Sequence, residues 1–199
     1  MKLILASGSQ RRRELMTMCG YDYEIMVSNA DESIAEHDPY EFVSKLAERK
    51  AIEVYNRYLT LNGGETEICV VGADTIVVYN DEIIGKPTDE DDAERILKTL
   101  SGQTHAVYTG VAVVTAQGIQ REVSGSEVTF CTLTDAEIRD YIRSGEPMDK
   151  AGAYGIQGPF GMFVERISGN YFTIIGMPLP VLYRMLKNIG IKPRYKQND

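Results

Sequence analysis

Residues 68–79 read ICVVGADTIVVY, a run apolar on both alternating faces that contains one charged residue, Asp74. A strand exposed on one side would alternate apolar and polar residues. This stretch instead predicts a central strand covered by helices on both sides. Upstream, Asp38 to about Leu61 carries Phe42, Val43, Leu46, Ala47, Val54 and Tyr58 at helical spacing, closed by Asn62, Gly63 and Gly64, which predicts the longest helix of the chain. Nearer the N-terminus, Lys2–Ala6 (KLILA) predicts a short buried strand. SGSQ then predicts a turn, and Gln10 to about Cys19 a helix capped by Ser9 and ended by Gly20.

Downstream, Asn80 and Asp81 form a turn into EIIGKP, and Thr88 with Asp91 resembles a capping box for a helix through Leu100. Ala93, Ile96 and Leu97 face inward there, and Ser101 and Gly102 stop the helix. Two long strands, about 105–115 and 120–132, precede a second capping box, Thr134 with Glu137, opening a helix to about Arg143. The stretch 145–178 is rich in Gly and Pro, Pro180–Ile189 is an amphipathic helix, and the polar tail KPRYKQND from about residue 192 is expected to fray. Strands and helices interleave without repeats, so the predicted class is α/β with a mixed twisted sheet, in one domain over residues 1–199.

A carboxylate inside an apolar strand costs several kcal/mol unless a cation, a metal or hydrogen-bond donors meet it, so roughly that much free energy demands a partner for Asp74. Gly72 and Ala73 before it allow close approach of a ligand or of backbone. Lys50 lies in the apolar stripe of the long helix, seven residues after Val43, where a lysine by default snorkels to the surface. In SGSQRRREL, Arg11, Arg12 and Arg13 occupy a first helical turn, where the dipole favours acidic residues. They form either a solvated basic patch or an anion site in which guanidinium groups add bidentate donors to backbone amides. Asp31 and Glu32 form an acidic pair in a loop, and Glu32 with Asp74 could share magnesium or manganese, which favour oxygen ligands. Lys86 stands in a tight Gly85–Lys86–Pro87 turn. In EPMDKAGAYGIQG, residues 146–158, the glycines with Tyr154 and Gln157 suggest backbone around a flat ligand, Gln157 offering a donor and an acceptor to a base edge.

Composition narrows the classes. The net charge of −8 opposes non-specific binding to nucleic acid or anionic lipid, so an anionic substrate needs locally concentrated positive charge. The N-terminal apolar run is too short for a signal peptide or a membrane span. Cys19, Cys69 and Cys131 lie far apart without a CxxC pair, which points to a reducing cytoplasm. Phosphate-loop and nucleophile-elbow motifs are absent, and His37 and His105 are too isolated for a zinc site.

Taken in order, LASGSQRRREL, the loop 31–36, LAERKA, VVGADTIV, IGKP, LSGQTHAVYTG, GEPMDKAGAYGIQG and GNYFTIIGMP resemble the Maf family of nucleotide pyrophosphatases over roughly residues 3–180. Gln10 departs from the Pro commonly found before the family's arginine pair. The resemblance implies two lobes flanking a nucleotide cleft, often in a homodimer. It implies that Ser9, Arg11 and Arg12 line a triphosphate site with Lys50 and Lys86, and that Glu32 and Asp74 form the acidic centre with Asp74 as general base. Arg12, Thr75 and Gln157 match the subgroup acting on dTTP and UTP. The expected activity is hydrolysis of these triphosphates to monophosphate and pyrophosphate, with a divalent metal, magnesium or manganese, on Glu32 and Asp74. Action on methylated guanine nucleotides, or a non-catalytic nucleotide-binding role in cell division, are the alternatives. Neither nucleic acid nor membrane is an expected partner.

Overall fold

The structure is a computed structural model that describes residues 1–64 and 67–194. Its elements in chain order are β1 Lys2–Leu5, α1 Gln10–Met18, β2 Glu24–Ile25, α2 Pro39–Leu61, β3 Ile68–Tyr79, β4 Glu82–Ile84 and α3 Glu90–Leu100. There follow β5 Thr104–Thr115, β6 Gly118–Phe130, α4 Asp135–Ile142, β7 Val164–Gly169, α5 Tyr171–Ile175 and α6 Leu179–Asn188. The strands form a seven-stranded sheet in the order β2-β1-β3-β5-β6-β7, with β4 added to β3.

The sheet is mixed. Strand β3 runs parallel to β1, pairing Lys2 with Ile68 and Leu5 with Val71, and antiparallel to β4, pairing Tyr79 with Glu82. The β3–β4 hairpin closes through Asn80 and Asp81 at φ 50° and 64°. Both values lie in the left-handed region, where short polar side chains are tolerated, so the predicted turn forms there. β6 pairs antiparallel with β7, with a bulge between Thr129 and Phe130.

The chain divides into two compact units, one of residues 1–74, 109–124 and 176 onward, the other of 75–108 and 125–175. In the first, α2 covers the sheet and its core includes Ile4, Ala47, Ala51, Val54, Val70 and Ala112. Two glycines set how close α2 lies. A Cβ on Gly72 of β3 would sit 2.4 Å from the Ala47 carbonyl oxygen, and one on Gly110 of β5 would sit 2.5 Å from that of Val43. The close approach allowed by Gly72 is therefore taken by a helix backbone of the same chain.

In the second unit, Leu97, Leu100, Ile138 and Phe160 build the core around Phe130. The Phe130 ring lies 4.7 Å from His105 and 4.8 Å from both Tyr154 and Phe160 between centroids. His105 is 2% exposed and its Nε2 pairs with the Tyr154 hydroxyl at 3.0 Å. Burial pushes its pKa down to about 4.

Helix caps largely follow the sequence. Asp38 accepts from the Glu41 amide with Pro39 as the first residue of α2, and Thr134 with Glu137 makes the full capping box of α4. The box expected from Thr88 and Asp91 does not form; the N-cap of α3 is Asp89, one residue later. Asp89 accepts from the amide of Asp92, the third helical residue, and Asp92 in turn accepts from Thr88 N at 3.0 Å. Helix α6 covers the predicted 180–189 within one residue. The stretch 145–178 holds more order than its composition suggested: three 3-10 turns, β7 and α5. The tail expected to fray is anchored at its start, since Arg194 N donates to the Gly20 carbonyl at 2.7 Å. The remainder of that tail, residues 195–199, lies outside the described residues. No helix among the described residues is long and apolar enough to cross a membrane.

Gly72→Ala should destabilise the protein by about 1–3 kcal/mol in urea titrations, because the contacted atom is backbone and cannot rotate away. His105 predicts an acid limb. Its imidazole is neutral in the fold, whereas the unfolded chain takes up a proton below about pH 6.5, so unfolding is favoured increasingly as pH falls from 6.5 to about 4 and no further below that. The full effect is roughly 3 kcal/mol, and His105→Gln should lose that part of the pH dependence of the urea midpoint.

Candidate functional site

Strand β3 is buried along nearly its whole length and opens only at Asp74 and Thr75, with Tyr79 at its end. Helix α2 brings Lys50 to that opening, one residue before Ala51, whose Cβ lies against Gly72. The Lys50 ammonium donates to Asp74 Oδ1 at 2.6 Å and forms an ion pair with Glu32 Oε1 at 2.8 Å. The side chains of Lys50 and Asp74 are only 13% and 14% exposed, while Glu32 is 66% exposed. Lys50 therefore meets the acid that the sequence required to be partnered instead of reaching for solvent. Because one nitrogen touches both carboxylates, their oxygens can lie no farther apart than these two contacts laid end to end.

The first turn of α1 supplies the second cation. Arg12 donates through Nε to the Gly176 carbonyl at 2.8 Å and through Nη1 to Ser7 Oγ at 3.2 Å. Burial lowers its pKa from the ordinary arginine value, the nearby Asp74 opposes that, Arg11 adds to it, and Glu32 again opposes it. Arg12, Asp74 and Glu32 thus share one electrostatic neighbourhood. Arg11 is half-buried beside them, and Arg13 turns back to the Gly8 carbonyl at 2.9 Å.

Ser9 occupies the N-cap of α1, but its side chain makes no capping hydrogen bond. The active hydroxyl of this turn is Ser7, which accepts from Ser9 N at 3.2 Å as well as from Arg12. This two-residue side-chain turn is a known alternative to a helix cap. The SxS spacing of Ser7 and Ser9 is the signal that could have marked it. Gly176, far away in sequence, carried no such signal.

Thr75, Lys86 and Gln157 belong to the second unit. Thr75 is half-buried on β3, and Lys86 and Gln157 are exposed. The Gly85 carbonyl accepts from Gly152 N at 3.0 Å, tying the Lys86 turn to the segment that leads to Gln157. Around Gln157, a Cβ on Gly158 would fall 1.8 Å from Glu146 Oε1 and one on Gly155 2.8 Å from the same atom. These glycines make room for Glu146 of their own unit. Gln157 is left presented to solvent between them.

Oxygen donors on Glu32 and Asp74 suit a hard divalent cation, and their joint contact with the Lys50 ammonium places them within reach of one small ion. Among the described residues no group of three or more His, Cys, Asp or Glu side chains could hold a metal. Such a cation would therefore depend on phosphate oxygens and water for its remaining ligands.

Fold and charge arrangement together define a mixed α/β protein whose buried strand carboxylate is bridged by lysine to a loop carboxylate. The chain belongs to the Maf-like protein family, which it matches over residues 2–189. It is 44% identical over 196 residues to a dTTP/UTP pyrophosphatase of Lachnoclostridium phytofermentans, with 96% of each chain covered. It is 46% identical over 190 residues to a protein of the same name from a Geobacillus species, covering 95% of this chain and 98% of that one. A Bacillus cereus protein, again named dTTP/UTP pyrophosphatase, is 44% identical over 191 residues, with 96% of each chain covered. Among solved structures, the Staphylococcus aureus Ham1 protein superposes with a TM-score of 0.51 at 10% identity, covering 95% of this chain and all of that one. That likeness is one of fold.

Proposed function

We propose that the chain is a nucleoside triphosphate pyrophosphatase that hydrolyses dTTP and UTP to the monophosphate and pyrophosphate. Relatives so named share 44–46% of its residues over nearly their whole length. The observation that carries the reading is the Lys50 ammonium held 2.6 Å from Asp74 and 2.8 Å from Glu32, with Arg12 in the same electrostatic neighbourhood. In a chain of net charge −8, this collects cations where a polyphosphate could be met.

Water attacks the α-phosphorus in line, and Asp74 accepts its proton. Arg11, Arg12, Lys50 and Lys86 neutralise the charge that grows on the departing pyrophosphate. Glu32 and Asp74 would hold magnesium or manganese, which when bound supplies positive charge to the phosphate oxygens. Ser9 stands at the same turn as the arginines. Its neighbour Ser7 orients Arg12, and Thr75 and Gln157 address the base. Three free thiols favour a reducing cytoplasm, and the family resemblance favours a homodimer.

Asp74→Asn keeps the shape of the side chain and removes the proton acceptor. Pyrophosphate release from dTTP and UTP should fall by about 10²–10⁴-fold, the range of a lost general base. Wild-type turnover by this variant would refute the assignment.

A further inference from the structure

Glu32 sits in a segment, residues 26–37, that forms neither helix nor strand. Its geometry is imposed by one face of α2. Lys45, Arg49, Glu53 and Arg57 recur every fourth residue, so they line up along the helix, and each grips a successive part of the segment. Arg57 donates to the Val27 carbonyl at 2.5 Å, and Glu53 accepts from Ser28 Oγ at 3.0 Å and from Asn29 N at 2.9 Å. Arg49 Nη1 donates to the carbonyls of Asp31 and Ser33, both at 2.9 Å, and Lys45 reaches Glu36 at 2.5 Å. The segment runs antiparallel to the helix and is fastened to it rung by rung.

The Arg49 rung differs from the others in what it encloses. Its two carbonyls flank Glu32, and one guanidinium nitrogen carries two N–H groups, one for each. Peptide groups on both sides of Glu32 are thereby fixed, and its carboxylate is directed to Lys50, the next residue of the same helix. We infer that Arg49 is a positioning residue for Glu32: it holds the loop half of the acidic centre against the half fixed on β3. This rests on the proposed role of Glu32. Lysine in its place would offer its N–H groups from a freely rotating ammonium on a flexible stem, so it would hold the two carbonyls less rigidly than a planar guanidinium.

The test is a double-mutant cycle of Arg49→Ala and Glu32→Gln, with Arg49→Lys beside it, read by pyrophosphate release from dTTP and by amide hydrogen exchange. Arg49→Ala should lower kcat about 10–100-fold, the usual cost of losing a group that orients a ligand. It should speed exchange of the amides of 31–37 while leaving those of α2 and the urea midpoint nearly unchanged, and Arg49→Lys should recover part of both effects. In the Glu32→Gln background, Arg49→Ala should cost almost nothing further, because its effect passes through Glu32. An inactive Glu32→Gln beside a fully active Arg49→Ala, or an undiminished Arg49→Ala loss in the Glu32→Gln background, would overturn the role of Arg49 alone. A Glu32→Gln variant with wild-type turnover would overturn the reading of Glu32, and this role with it.

Discussion

The close seating of α2 on β3 and β5 is the constraint on which the first unit depends. It exists because Gly72 and Gly110 lack side chains where the carbonyls of Ala47 and Val43 come nearest. Lowering a helix onto a sheet in this way removes the gap that water would fill, and it brings Lys50 within hydrogen-bond distance of Asp74. The charge pair inside an apolar strand is then tolerable. Either group alone would face the desolvation cost without its counterpart. Packing and electrostatics are therefore one arrangement here: the glycines that fit the core also place the ammonium.

The same helix works on two faces. Its apolar stripe, interrupted by Lys50, addresses the sheet, while its outer stripe of Lys45, Arg49, Glu53 and Arg57 fastens the irregular segment that carries Glu32. Two carboxylates of very different exposure are thus brought to one lysine, one rigid on a strand and one on a tethered loop. Arg12 arrives independently, locked by Ser7 and by the Gly176 carbonyl. An otherwise anionic chain so gathers two cations beside two carboxylates at one place, a mixed set that suits phosphate oxygens together with a divalent ion.

Much of this was legible in the sequence, for physical reasons that can be named. The run 68–79 could only be a covered strand, and a lone Asp74 within it had to find a partner. The capping box of Thr134 and Glu137 acts through its own local chemistry, so it reads correctly, whereas Asp38 reads only as the start of its helix. Asp89 displaced Thr88 because two adjacent cap-forming residues compete and only geometry chooses between them. β2, β7 and α5 are short elements stabilised by neighbours distant in the chain, and their sequences carry weak periodicity. The choice of Ser7 over Ser9 depends on where Arg12 points, which is set by Gly176, more than 160 positions away. The Arg49 clamp was hidden because its partners are carbonyls, which every residue has.

The most direct measurement is phosphorus NMR of dTTP and UTP incubated with the purified protein and magnesium or manganese. The account predicts that the triphosphate signals give way to nucleoside monophosphate and pyrophosphate alone. Release of nucleoside diphosphate with inorganic phosphate, or triphosphates left intact under every metal, would contradict it.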